Sequence, residues 1–228
     1  MPNKAPIIRS PIKPAPPIAL IEGWEVSTRK STAPLRISDC TPYTKVLVRS
    51  EANSDMANAL GVSYGRAVRN ERGTLVVGSG PGEWLLISNS STAAQIIAAK
   101  VLDSKHGDLT TIRDITHGGV LIRLTGRDAT RLMAKLCPMN FAEKVTPHGT
   151  AFRSSVAKLA TTVIRDDLET RLDDVTYDDR SATSDQSGRI PSYLLHGDRS
   201  AGQYLFDCLI DAGNEFGVDV EGFSGALA

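Results

Sequence analysis

The sequence predicts an α+β fold built from two ferredoxin-like halves of the βαββαβ type. Three observations predict it. Val46-Leu47-Val48-Arg49 precedes a short helix-like run ending at Leu60-Gly61. Val120-Leu121-Ile122-Arg123, 74 positions later, precedes a similar run ending at Leu136-Cys137. Each block is followed by a hairpin-like stretch, Thr74 to Ile87 in the first and Thr150 to Arg165 in the second. Finally, 228 residues with 41% apolar and 23% charged side chains suit two small halves sharing one core.

The elements follow in order. Residues 1–22 read as an extended arm, because six prolines remove backbone donors and favour polyproline geometry. Ile7, Ile8, Ile12, Ile18, Leu20 and Ile21 punctuate it, too many apolar residues for a solvated linker. The arm either folds back on its own domain or lies across a partner. The duplicated domain spans 23–217, with halves at about 44–115 and 118–213. Residues 44–50 are β-branched and alternate, as a strand does. Ser54 to Leu60 reads as a short helix ended by Gly61. Thr74–Val77 and Trp84–Ile87 form a hairpin around Gly78-Ser79-Gly80-Pro81-Gly82. Ser91 to Lys100 has amphipathic helical spacing, and Leu109 to Ile115 is a strand.

The second half opens with the strand Val120 to Leu124. A helix bearing Ala129, Leu132, Met133 and Leu136 follows, stopped by Pro138. Thr150–Ala157 and Leu159–Ile164 are strands. Residues 166–188 hold eight acidic side chains and few apolar ones, and read as a mobile acidic insertion. Arg189 to Leu195 resumes as a strand. Ser200 to Ala212 is an amphipathic helix with Tyr204, Leu205, Cys208, Leu209 and Ala212 on one face. Residues 218–228 read as a C-terminal tail.

Bulk chemistry excludes several classes. With 26 basic and 26 acidic residues the formal charge is zero, without the basic excess of a nucleic-acid binder. Three scattered cysteines (Cys40, Cys137, Cys208) fit a reducing, cytoplasmic setting. No apolar window approaches the roughly 20 residues of a spanning helix.

No motif for catalysis stands out. Gly78 to Gly82 opens a strand rather than a helix, so it reads as a turn and not a phosphate loop. Asp114 and His117 pair an acid with a candidate base, but no nucleophile accompanies them, and a structural or interface role is the better reading. His106, His117, His148 and His196 lack metal-ligand spacing. Arg153, Arg165, Arg189 and Arg199 suit solvent or an interface. Cys137 reads as packing. The sequence thus assigns no catalytic, cofactor-binding or metal-binding residue to this chain.

Asp114-Ile115-Thr116-His117-Gly118, Val120 to Gly126 and Ala134-Lys135-Leu136-Cys137-Pro138-Met139 together resemble the central block of the gamma subunits of heterotetrameric sarcosine oxidases. Arg9-Ser10-Pro11, Gly82-Glu83-Trp84-Leu85-Leu86-Ile87, Ala151-Phe152-Arg153 and Ser192-Tyr193 resemble further pieces of that family in the same order. The acidic stretch 166–188 is longer than the family's connection. The resemblance implies an aminomethyltransferase-like fold and a non-catalytic subunit with no cofactor of its own. It implies alpha, beta and delta partner subunits, which carry FAD, covalent FMN, NAD, tetrahydrofolate and zinc between them, in a complex that oxidatively demethylates sarcosine to glycine. The gamma subunit of N-methylglutamate dehydrogenase resembles the same pattern. The fold family also contains folate-binding transferases, which hold the pterin on a central carboxylate.

Overall fold

The computed structural model describes residues 6–51, 53–71, 73–89, 109–169 and 188–225. Strands β1 (Ile8–Arg9), β2 (Ile18–Ile21) and β3 (Trp24–Ser27) form a small sheet in the order β1-β3-β2. The β2–β3 turn is Glu22-Gly23, both with positive φ (49° and 84°), the left-handed pair that matches strand twist in a two-residue hairpin. The arm therefore carries real strands, and its alternation divides it. Ile12 is 2% exposed in the main core, whereas Ile18 and Leu20, two apart on one face of β2, are 51% and 60% exposed.

The first large sheet has the order β6-β7-β8-β5-β9, all antiparallel, from β5 (Thr44–Arg49), β6 (Ala67–Arg69), β7 (Leu75–Gly80), β8 (Glu83–Ser88) and β9 (Thr111–Asp114). Helix α1 (Asp55–Leu60) leaves β5; the Ser54 side chain accepts the Ala57 N–H and so caps it. The second sheet has the order β11-β12-β15-β10-β4-β16. Its members are β4 (Leu35–Asp39), β10 (Gly119–Gly126), β11 (Ala151–Val156), β12 (Leu159–Arg165), β15 (Ser192–Asp198) and β16 (Val218–Glu221). Helix α2 (Ala129–Leu136) follows β10. A 3₁₀ turn leads into helix α3 (Gly202–Gly213). A two-residue ribbon, β13 (Leu168–Glu169) with β14 (Arg189–Ile190), extends the β12–β15 hairpin.

The two sheets share one spatial order over five strands, although β9 follows β8 in the chain whereas β4 precedes β5. Strands β6, β7, β8, β5 and β9 occupy the places of β11, β12, β15, β10 and β4, with every neighbour pair antiparallel. The duplication so revealed corrects the alignment of hairpins by sequence offset. The partner of β8 is β15, not β12, and the acidic segment stands where the first half has only the Pro81-Gly82 turn.

Three apolar clusters make the layers. Leu75, Val77, Leu85 and Ile87 of the first sheet meet Leu121, Ile164 and Leu194 of the second. Val120, Ile122 and Leu124 point the other way, onto Leu132 and Met133 of α2 and Leu205 and Leu209 of α3. Val46, Val48 and Trp84 cover α1 on the outer face of the first sheet. The layers thus run helix, sheet, sheet, helix.

Several sequence expectations need amendment. Residues 218–221 are not tail: they form β16, parallel to β4. The segment 23–43, given no element above, supplies β3 and β4. On α3 the buried face is Leu205, Phe206, Leu209 and Ala212, while Tyr204 is exposed and Cys208 half-buried. Pro191 separates β14 from β15, splitting the strand expected over 189–195. Residues 166–167 do not belong to a loose acidic run; both side chains are buried. The expected helix 91–100 lies outside the described residues, as does 170–187 of the acidic stretch.

Candidate functional site

The edges of the two sheets meet at β6 and the start of β11. The Ala67 N–H donates to the Gly149 carbonyl, and the Ala151 N–H to the Gly65 carbonyl. Gly149 has φ +76°, and a Cβ there would stand 2.9 Å from the Ala67 carbonyl oxygen, so the close seam depends on a residue without a side chain. Behind this seam opens a cleft of about 1060 Å³. Its walls come from β4, β6, the ends of β12 and β16, and the β13–β14 ribbon.

Its back wall is a buried ion-pair network. Arg123 sits in β10, all eight residues of which are buried. Strand alternation turns it, with Leu121 and Thr125, toward the opposite sheet. Arg123 Nη2 donates to Asp166 Oδ2 at 2.8 Å, and Arg69 Nη2 donates to the same oxygen at 2.6 Å. Arg123 Nη1 also reaches Ser192 Oγ at 2.9 Å. Beside them Arg165 Nε meets both carboxylate oxygens of Asp167 at 3.0 and 3.1 Å, its Nη1 donates to the Thr146 carbonyl at 2.6 Å, and its Nη2 contacts Glu143. The Asp167 N–H donates to His148 Nδ1 at 3.0 Å, which makes that nitrogen an acceptor and places the ring proton on Nε2. Burial, then the charge of Arg189, lowers the His148 pKa and holds the ring neutral.

The floor is apolar. The Tyr43 and Phe223 rings lie 5.0 Å apart, tilted by 52°. Beside them burial pushes the Cys40 thiol up to about 12, so it is no nucleophile near neutral pH. Lys45, fully buried, fixes the loop that carries these groups: its Nζ donates to the Thr41 carbonyl at 2.7 Å and the Tyr43 carbonyl at 2.8 Å. Burial lowers its pKa to about 8.

Of the residues singled out in the sequence, the cleft gathers Arg165, Arg189 and His148. The others lie elsewhere. Asp114 Oδ1 accepts the Thr116 N–H in a local turn, and His117 stacks on Trp24 at 5.2 Å, so the two do not form an acid–base pair. Gly78 to Gly82 lies in the β7–β8 hairpin. Arg153 is exposed, and Arg199 donates to the Arg9 carbonyl. Cys137 packs in the core with its Sγ 3.5 Å from Ser154 Oγ. His106 lies outside the described residues. His196 points between the sheets. No cluster of metal-ligating side chains forms among the described residues, and none of their helices is long and apolar enough to cross a membrane. The central pairs, Arg123–Asp166 and Arg165–Asp167, escaped the sequence reading. One signal for them was present: a lone arginine inside the apolar run Val120–Leu124.

A chain of the heterotetrameric sarcosine oxidase from Corynebacterium sp. U-96 superposes with a TM-score of 0.61 at 19% identity, covering 83% of this chain and 89% of that one. The glycine cleavage system aminomethyltransferase T from Bartonella henselae superposes with a TM-score of 0.59 at 13% identity. This chain has the aminomethyltransferase-like fold. The match covers 90% of it and 55% of the transferase, so it spans about half of that enzyme. No family model and no curated protein matches the sequence.

Most of the carboxylates that line the cleft are already engaged. Asp166 and Asp167 are taken by guanidinium groups, Glu221 faces Arg36 at 3.5 Å, and Glu169 is exposed at the rim opposite Arg189.

Proposed function

We propose that this chain is a non-catalytic, gamma-type subunit of a heterotetrameric flavoenzyme that oxidatively demethylates sarcosine to glycine in the cytoplasm. The observation that carries the reading is the two-way coverage with the sarcosine oxidase chain, 83% and 89%, against 55% of the transferase. The ordered sequence pieces around Asp114 to Gly126 support it independently. On this reading FAD, FMN, NAD, zinc and tetrahydrofolate reside on alpha, beta and delta partners, and the flavin there accepts hydride from the N-methyl carbon. The chain's own contribution is mechanical: it braces the larger subunits. The outward face of its N-terminal sheet, with Ile18 and Leu20 exposed, offers an apolar contact for such a partner.

Co-expression of the tagged chain with the proteins encoded beside it tests the proposal. Elution of four chains in equal amounts, with a flavin spectrum, is expected. The chain expressed alone should be colourless. A monodisperse single chain eluting without companions from that co-expression would refute the reading. The same sequence pieces favour a second substrate, N-methylglutamate, and comparing turnover of the two amines decides between them.

A further inference from the structure

We propose that the cleft between the two sheets binds a ligand carrying two or more carboxylate groups, a property the subunit reading neither requires nor supplies. The described lining holds seven Lys and Arg side chains against four carboxylates, an excess of three positive charges (7 − 4). The excess is placed unevenly. Asp166 and Asp167 at the back are saturated by Arg69, Arg123 and Arg165. Lys30 and Arg66 at the mouth have no side-chain partner among the described residues. With Glu143, which contacts Arg165 from outside the lining, the back wall is internally neutralised, while the mouth presents cations that nothing in the described chain satisfies.

The same pairing decides the ligand's chemistry. With the buried carboxylates occupied, the cleft offers donors rather than acceptors, so it selects anions over heterocycles bearing N–H groups. Neutral His148, with its proton on Nε2, adds a further donor to the lining. Guanidinium forks suit carboxylates in bidentate geometry, and the Tyr43–Phe223 floor accommodates the carbon skeleton that links them. The volume, about 1060 Å³, is ample for a small polycarboxylate or for a few acidic side chains on one peptide.

The experiment is a titration of the full chain at low ionic strength with citrate, hexa-aspartate, acetate and 6-methyltetrahydropterin, a reduced pterin ring without carboxylates, read by calorimetry and by melting temperature. Citrate, hexa-aspartate or both should bind saturably, with affinity falling as salt is added, while acetate does not. 6-Methyltetrahydropterin should bind no tighter than the better of the two polyanions. The double variant Lys30→Glu/Arg66→Glu changes two exposed residues, so its melting temperature without ligand should match the parent, and its affinity should fall by roughly tenfold or more. Citrate binding alone identifies a free small molecule as the source of the anion, and peptide binding alone identifies a docked acidic segment. No response to either polyanion, an equal response in the double variant, or tighter binding of 6-methyltetrahydropterin would overturn the proposal. None of these outcomes bears on whether partner chains co-purify.

Discussion

Arg123 is a guanidinium in the middle of a wholly buried strand, and its tolerance there depends on Asp166. Removing one partner of such a pair leaves an uncompensated charge in low dielectric. Asp166→Ala removes the carboxylate that faces the buried Arg123, so it should destabilise the fold by about 3–5 kcal/mol in denaturant unfolding. His196 makes a second prediction at this scale. Its Nε2 is buried without a partner, and a Cβ at Gly119 would stand only 2.4 Å from it, so the ring sits in space the glycine leaves. Burial, then the charges of Lys45 and Arg153, lowers its pKa to about 4. Between that value and an unfolded value of about 6.5, the unfolded chain binds the extra proton, so stability falls as pH drops through this window. The loss approaches about 3 kcal/mol by pH 4. Unfolding curves across the window should show this slope, and His196→Leu should flatten it; an unchanged slope in the variant would assign the effect to other groups.

Among the elements, the N-terminal arm shows best how far the sequence could be read. Prolines and isoleucines announced an extended segment but left open whether it serves its own domain or a partner. The structure divides the labour by side-chain direction. Ile12 fills the core beside Phe206 and Val120, so Ile12→Ala should cost about 2–4 kcal/mol. Ile18→Ser/Leu20→Ser touches exposed positions, so stability should hold within about 0.5 kcal/mol. The same double change should weaken association with the larger chains, as size-exclusion chromatography of the complex would register. The β2–β3 hairpin was missed although Glu22-Gly23 between two apolar alternations is a turn signal; the proline-rich context obscured it. Strands β5, β7, β8, β10, β11 and β12 were legible because each is a short β-branched or alternating run bounded by turn residues. The cleft was not legible, because its residues come from separate segments, 30–43, 66–69, 123, 148–149, 165–169, 189 and 221–224, that only tertiary pairing brings together. Asp166 and Asp167 were read with the acidic run they begin; composition does not distinguish a buried carboxylate from a solvated one.

At the scale of the whole molecule, duplication explains both the fold and its cleft. Two sheets of like strand order bury a shared apolar layer, and the seam between them makes the cleft. Arginines occupy its buried carboxylates, Asp166 and Asp167, and the proposed supporting role places the catalysis on partner chains. The most direct test of that central claim is the visible spectrum of the purified complex during anaerobic addition of sarcosine. The account predicts flavin absorbance in the complex that bleaches on sarcosine, with no absorbance and no sarcosine-dependent change in this chain alone. A complex without flavin, or a flavin spectrum indifferent to both sarcosine and N-methylglutamate, would contradict it.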